Sequence, residues 1–178
     1  MAPPDLGEPP RRGSEYQEQL KYDFNIKGEL RHLDTNESFV FNYYKNSHER
    51  NHERYQVLGH LITQYVYELL ERVCTLQKVY IPTDATEDEP RSFFFMSEKA
   101  LTSSTSIIVL LQDRGVLHAG QWGQKTIIRE GLNHGTQIPF IKMALQNYMR
   151  HFAYVCCKGS SLSNDRDNGN RSQTILKG

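Results

Sequence analysis

Apolar positions along this chain change their spacing several times, and each spacing predicts a different element. From Tyr22 to Leu33 they alternate with polar residues around Gly28, and Asp34–Glu37 makes a second turn before Ser38–Phe41. That pattern predicts a small antiparallel meander. Further on, Tyr55, Leu58, Leu61, Ile62, Tyr65, Val66 and Leu69 recur at the spacing of an amphipathic helix whose stripe must lie on a sheet. Ser47 is placed to cap that helix, Arg50–Arg54 is its polar first stretch, and it ends near Val73. Lys78–Ile81 and Ser92–Met96 read as strands joined by the exposed loop Pro82–Pro90. A short helical turn at Glu98–Leu101 leads to Ile107–Leu111, an apolar run without polar alternation. Such a run suits a strand covered on both faces, and the loop at its carboxyl end is where α/β folds gather their chemistry. Beyond it, Gly120–Glu130 is expected to be helical, with Trp122 and the Ile127–Ile128 pair facing inward. Gly131–Gln137 reads as a loop, Pro139 as the first turn of a helix through Asn147, and His151–Cys157 as one more strand. Residues 1–20 and 158–178 hold little to bury and are expected to be a disordered leader and tail.

Composition narrows the classes of function. A chain of 178 residues suits one domain. Lys+Arg and Asp+Glu are 21 each, so no net charge draws the chain to nucleic acid or to an anionic membrane, and neither is expected as a direct partner. The 3 cysteines fit no metal-ligand or disulfide spacing, which points to a reducing compartment. With no signal-peptide pattern and no apolar run of membrane length, an intracellular protein is expected, and the sequons at Asn36 and Asn170 would go unused.

Every candidate for chemistry competes with a plainer role. His48-Glu49-Arg50-Asn51-His52 has the spacing of a helical zinc site, with two imidazoles one turn apart and a glutamate base between them. Those residues lie in the most polar stretch of the helix. The carboxylates Glu68 and Glu71 lie far down the same helix, Glu71 roughly 28 Å past His52 at about 1.5 Å per residue. A solvated helix start is therefore expected there. His118 stands without a placed carboxylate or nucleophile. Asp84, Glu87, Asp88 and Glu89 lack the spacing and glycine of a calcium loop, and the adjacent Cys156 and Cys157 are poor geometry for one tetrahedral metal. Trp122 and Phe140 read as core, because the basic groove that accompanies base stacking is absent. The loop Gln112–Gly115 offers an amide, a carboxylate, a guanidinium and a glycine, but no nucleophile. No G-x-S-x-G, P-loop or G-x-G-x-x-G occurs, and no cofactor is implied.

Six segments in order, Phe39–Tyr43, Tyr65–Glu71, Ile81–Pro90, Phe95–Glu98, Ala119–Trp122 and Gly135–Ile141, resemble the Argonaute-binding-protein-two family. The resemblance implies an α/β-hydrolase-like fold and a role in nuclear gene regulation, with Argonaute, chromatin or splicing proteins as partners. It also exposes two departures. Where the family has a turn resembling a His-Gly-x-Gly oxyanion loop, this chain has Gln112, Asp113 and Arg114, and keeps only Gly115. Glycines permit the backbone geometry of oxyanion donors, and an aspartate there would repel developing negative charge. The serine elbow, acid and histidine of such folds come after the fifth strand, which has no counterpart here, so no catalytic residue is assigned. Without the nucleophile-bearing strand beside it, Ile107–Leu111 would be an open edge, which invites aggregation or demands a partner.

The expected architecture is therefore an α/β chain: an incomplete α/β-hydrolase-like fold, the front half of its sheet, over residues 21–157, including a small meander and a long helix. The expected function is that of a truncated, non-catalytic paralogue, in the extreme case the product of a degraded gene, whose remaining activity is protein interaction in the nucleus or cytoplasm. Two other classes stay open. One is a hydrolase, either a serine type completed by a partner chain or a zinc type using His48 and His52. The other is a free-standing module whose partner surface is the 47–73 helix.

Overall fold

The computed structural model describes residues 20–84, 86, 92–102, 107–111, 118–148 and 151–155. Residues 1–19 of the expected leader 1–20, most of the acidic loop, the loop Gln112–Gly115 and residues 156–178, with them the whole expected tail 158–178, lie outside the described residues.

Strands β1 (Tyr22–Phe24) and β2 (Leu30–His32) form an antiparallel hairpin with Tyr22 opposite His32. Asn25 builds its turn: the side-chain oxygen accepts from the amides of Lys27 (2.9 Å) and Glu29 (3.0 Å), an Asx-type arrangement that competes well with continued strand. The expected third strand, Ser38–Phe41, does not form. Its segment is fastened by the His32 amide donating to the Glu37 carbonyl (2.9 Å) and by aromatic rings instead of a ladder. Phe39 is buried edge-on against Tyr22 and Phe41, and Phe41 reaches Tyr55.

The long helix α1 spans His48–Arg72, and the Ser47 hydroxyl accepts from the Arg50 amide at 3.4 Å as the spacing predicts. Leu58, Ile62, Val66, Leu69 and Leu70 are buried, while Tyr55, Leu61 and Tyr65 are half-buried beside them. Full burial of each such aliphatic side chain stabilises the fold by about 1.5–3 kcal/mol. One residue of the polar first stretch behaves otherwise. Asn51 is buried, its amide accepting from the Tyr44 N–H (2.9 Å) and donating to the Tyr44 carbonyl (2.8 Å), so both polar ends are satisfied without water.

A mixed sheet packs on this helix. Its strands are β3 (Leu76–Ile81), β4 (Ser92–Ser97), β5 (Ile107–Leu111) and β6 (His151–Val155), in the order β3-β4-β6-β5. β3 and β4 pair antiparallel with Leu76 opposite Ser97, β4 and β6 pair antiparallel, and β5 runs parallel to β6 with Ile107 opposite His151. β5 therefore ends the described sheet instead of lying in its middle. It is also not covered on both faces: Ile107 and Val109 are 39 % and 47 % exposed, alternating with half-buried Ile108 and Leu110.

The crossover from β5 to β6 carries α2 (Gln124–Glu130), α3 (Leu132–Gly135) and α4 (Ile138–Tyr148). Ile127 and Ile128 face inward as expected. Three expectations fail here. The first helix begins at Gln124, because Gly120 takes a positive φ of 79° and Gln121 bridges Thr136 as an extended pair. That phase turns Gln121 inward and leaves Trp122 55 % exposed; Phe140 is 39 % exposed, so neither is core. The expected loop Gly131–Gln137 contains α3. Gly131, with φ 86°, separates α2 from α3 where a Cβ would stand 2.7 Å from the Gly28 carbonyl oxygen. The next amide, Leu132, donates to that same oxygen at 2.8 Å, docking the helical crossover on the hairpin turn. Among the described residues no helix is long and apolar enough to cross a membrane.

Candidate functional site

In an α/β sheet, ligands and catalytic groups gather at the carboxyl ends of the strands, here the end of β5. Gln112, Asp113, Arg114 and Gly115 lie outside the described residues, and the described chain resumes at His118, which is half-buried. The residues just after His118 form a buried polar network. Ala119 is fully buried, and Gln121, 2 % exposed, donates from Nε2 to Thr63 Oγ1 at 3.0 Å; that hydroxyl donates in turn to the Gly59 carbonyl at 2.8 Å. The backbone N–H of Gln137 donates to the Gly120 carbonyl and that of Trp122 to the Gly135 carbonyl, both at 2.8 Å. Gln124 Nε2 reaches the Tyr55 carbonyl at 3.1 Å. The segment that re-enters the fold after the β5 loop is thus tied to α1 by side-chain amides. Two buried acceptors, Gln137 Oε1 and Asn133 Oδ1, have no hydrogen-bond partner among the described residues.

This network positions backbone; it does not activate a nucleophile. Its members are amides and hydroxyls, none of which takes up or releases a proton near neutral pH. The buried Cys74 is no better suited: burial pushes its thiol up to about 12, only partly offset by Lys142, so it stays protonated at neutral pH. Burial likewise raises the phenols of Tyr22 and Tyr65.

His48, Glu49 and His52 lie exposed on the first turns of α1. Among the described residues no group of three or more His, Cys, Asp or Glu side chains is gathered where it could hold a metal ion. The buried glutamines are not recognisable in the sequence as a network, although Ala119–Trp122 and Gly135–Ile141 stand out as segments. Their signal is a glutamine next to a large apolar residue, Gln121 before Trp122 and Gln137 before Ile138, each within two residues of a glycine.

A family model described as the Arb2 domain matches residues 14–175. The human protein ARB2BP is 64 % identical over 129 residues, covering 72 % of this chain and 36 % of that protein. The human cotranscriptional regulator ARB2A is 55 % identical over 138 residues, covering 78 % of this chain and 33 % of the relative. A Caenorhabditis elegans FAM172 family protein homolog, Y75B8A.31, is 37 % identical over 131 residues, covering 72 % and 39 %. This chain thus spans about a third of the length of the curated relatives it matches. No solved structure matches it. With a family match that runs over nearly all of its residues, the chain belongs to the Arb2 domain family.

Proposed function

We propose that this chain is a non-catalytic, protein-interaction member of the Arb2 family, engaging Argonaute and transcription-linked partners in the nucleus and influencing transcription-coupled splicing. β5 carries the proposal. It ends the described sheet with Ile107 and Val109 exposed, so among the described residues one row of its backbone groups is unpaired and one apolar face is uncovered. An extended segment of a partner can add to such an edge, with main-chain hydrogen bonds supplying affinity and side-chain alternation supplying selectivity. The described order β3-β4-β6-β5 supports this reading, because a further strand could add only beside β5 or β3. The replacement of an oxyanion-type loop by Gln112, Asp113 and Arg114 supports an interaction role over hydrolysis. Relatives carrying the name cotranscriptional regulator support the nuclear assignment.

The test is capture of purified Argonaute by the immobilised full chain and by its Val109→Lys variant. Capture by the wild type that drops at least tenfold in the variant is expected; absence of capture, or equal capture, overturns the proposal. A serine-reactive fluorophosphonate is expected to leave the chain unlabelled. Labelling at a serine would replace the non-catalytic assignment with a hydrolase completed by a partner.

A further inference from the structure

A second surface, away from the β5 edge, carries a different inference. In the segment Phe39-Val-Phe-Asn-Tyr-Tyr44, four aromatic rings lie under three arginines. The Arg50 guanidinium sits 3.8 Å over the Tyr44 ring centroid; that of Arg54 lies 4.8 Å over Phe39 and 4.6 Å over Tyr43; that of Arg129 lies 5.4 Å over Phe41. Stacking of this kind fixes the plane of a guanidinium; the N–H edge of Arg54 is partly taken by the Val40 carbonyl and the Tyr22 hydroxyl, which leaves its remaining donors for a ligand. Among the described residues none of the three makes an ion pair with a carboxylate. Arg54 Nη1 donates to the Val40 carbonyl at 3.2 Å, and Asn51 clasps the Tyr44 backbone in both directions, so loop and helix present themselves as one piece. A cleft of about 310 Å³ opens between Leu20, Tyr44, Arg50, Glu53, Arg54 and Val57, and Val40 and Tyr43 stand exposed on the same loop.

We infer that this cleft is a docking site for an acidic peptide, a partner segment rich in aspartate and glutamate. Arg50 and Arg54 are one helical turn apart, about 5–6 Å between their Cβ atoms. Carboxylates on alternate residues of an extended peptide recur about every 7 Å, which lets neighbouring side chains meet the two guanidiniums in turn. Exposed Val40 and Tyr43 offer apolar contact to the peptide's stems. Single-stranded nucleic acid fits less well, because a guanidinium already occupies a face of each ring on which a base would stack, and the chain has no net positive charge to gather a phosphate backbone. Glu53 is the carboxylate in the cleft wall, where it opposes an incoming acid.

Fluorescence anisotropy tests this with the full chain and a labelled Glu-Ser-Glu-Ser-Glu peptide, against its Gln-Ser-Gln-Ser-Gln counterpart and an oligouridine competitor. Saturable binding of the glutamate peptide that weakens with added salt is expected, with little binding of the glutamine peptide. Arg50→Gln should weaken it about threefold to tenfold, and Glu53→Gln should tighten it about twofold. Both positions are exposed, and circular dichroism confirms that each variant folds. The inference is overturned if the glutamine peptide binds equally, if Glu53→Gln fails to tighten binding, or if oligouridine is preferred over the glutamate peptide.

Discussion

Gly120→Ala should be among the most damaging single-methyl additions to this protein. Gly120 holds a φ of 79°, and a Cβ there would stand 2.8 Å from Val66 Cγ1 and 3.0 Å from Leu70 Cδ1. Forcing an L-residue into that region costs about 1–2 kcal/mol. Val66 and Leu70 are completely buried, so neither can swing aside, and overpacking a filled core costs about 1–3 kcal/mol more. Together these give roughly 2–5 kcal/mol. With a urea m-value of about 2 kcal/mol/M, that lowers the unfolding midpoint by about 1–2.5 M. Gly123→Ala is the matched control: its backbone is extended, with φ −179°, and its Cβ would meet only Thr126 Oγ1, at 3.5 Å. Its cost should stay below about 1 kcal/mol, the scale of losing a favourable capping residue. Equal midpoints for the two variants would refute the packing of residues 119–121 against α1.

Further consequences are open to direct measurement. Asn51→Ala removes both hydrogen bonds to the Tyr44 backbone and should destabilise the chain by about 2–3 kcal/mol in urea, while exposed Gln56→Ala should change stability by less than about 0.5 kcal/mol. Cys74 should add an alkaline limb to stability. Its folded thiol lies above the ordinary value of 9, so its contribution is complete below about pH 9 and lost as pH rises from there towards about 12; Cys74→Ala should flatten that slope. In native protein at neutral pH, maleimide should leave Cys74 unmodified, and labelling there would contradict its burial.

The local elements are legible where a period repeats. The α1 stripe and its Ser47 cap, the Gly28 hairpin and the inward Ile127–Ile128 pair all follow from spacing and turn chemistry. Residue type alone misleads at Trp122. Its size argues for the core, yet the positive φ at Gly120 sets the phase of the chain and brings Gln121 inside, a backbone choice that hydrophobicity does not encode. Asn51 hides for the opposite reason: an asparagine among arginines reads as solvated, and its partner is the backbone of Tyr44, which carries no side-chain signature. β5 is recognisable as a strand but ambiguous in place. An apolar run without alternation suits a covered strand and an edge awaiting one equally, and only the non-local insertion of β6 between β4 and β5 decides where it lies. α3, at four residues, is too short to carry a period.

The proposal that β5 is a docking edge is tested most directly by hydrogen–deuterium exchange at residues 107–111 in the full chain, alone and with purified Argonaute. An edge strand bonded on one side keeps the amides directed at β6 protected, while those directed outward exchange with solvent. Split protection is expected in the free chain, with the fast-exchanging amides becoming slow when Argonaute is added. Uniform protection in the free chain would mean that the edge is already covered, and an unchanged pattern with Argonaute would mean that β5 is not where this partner binds.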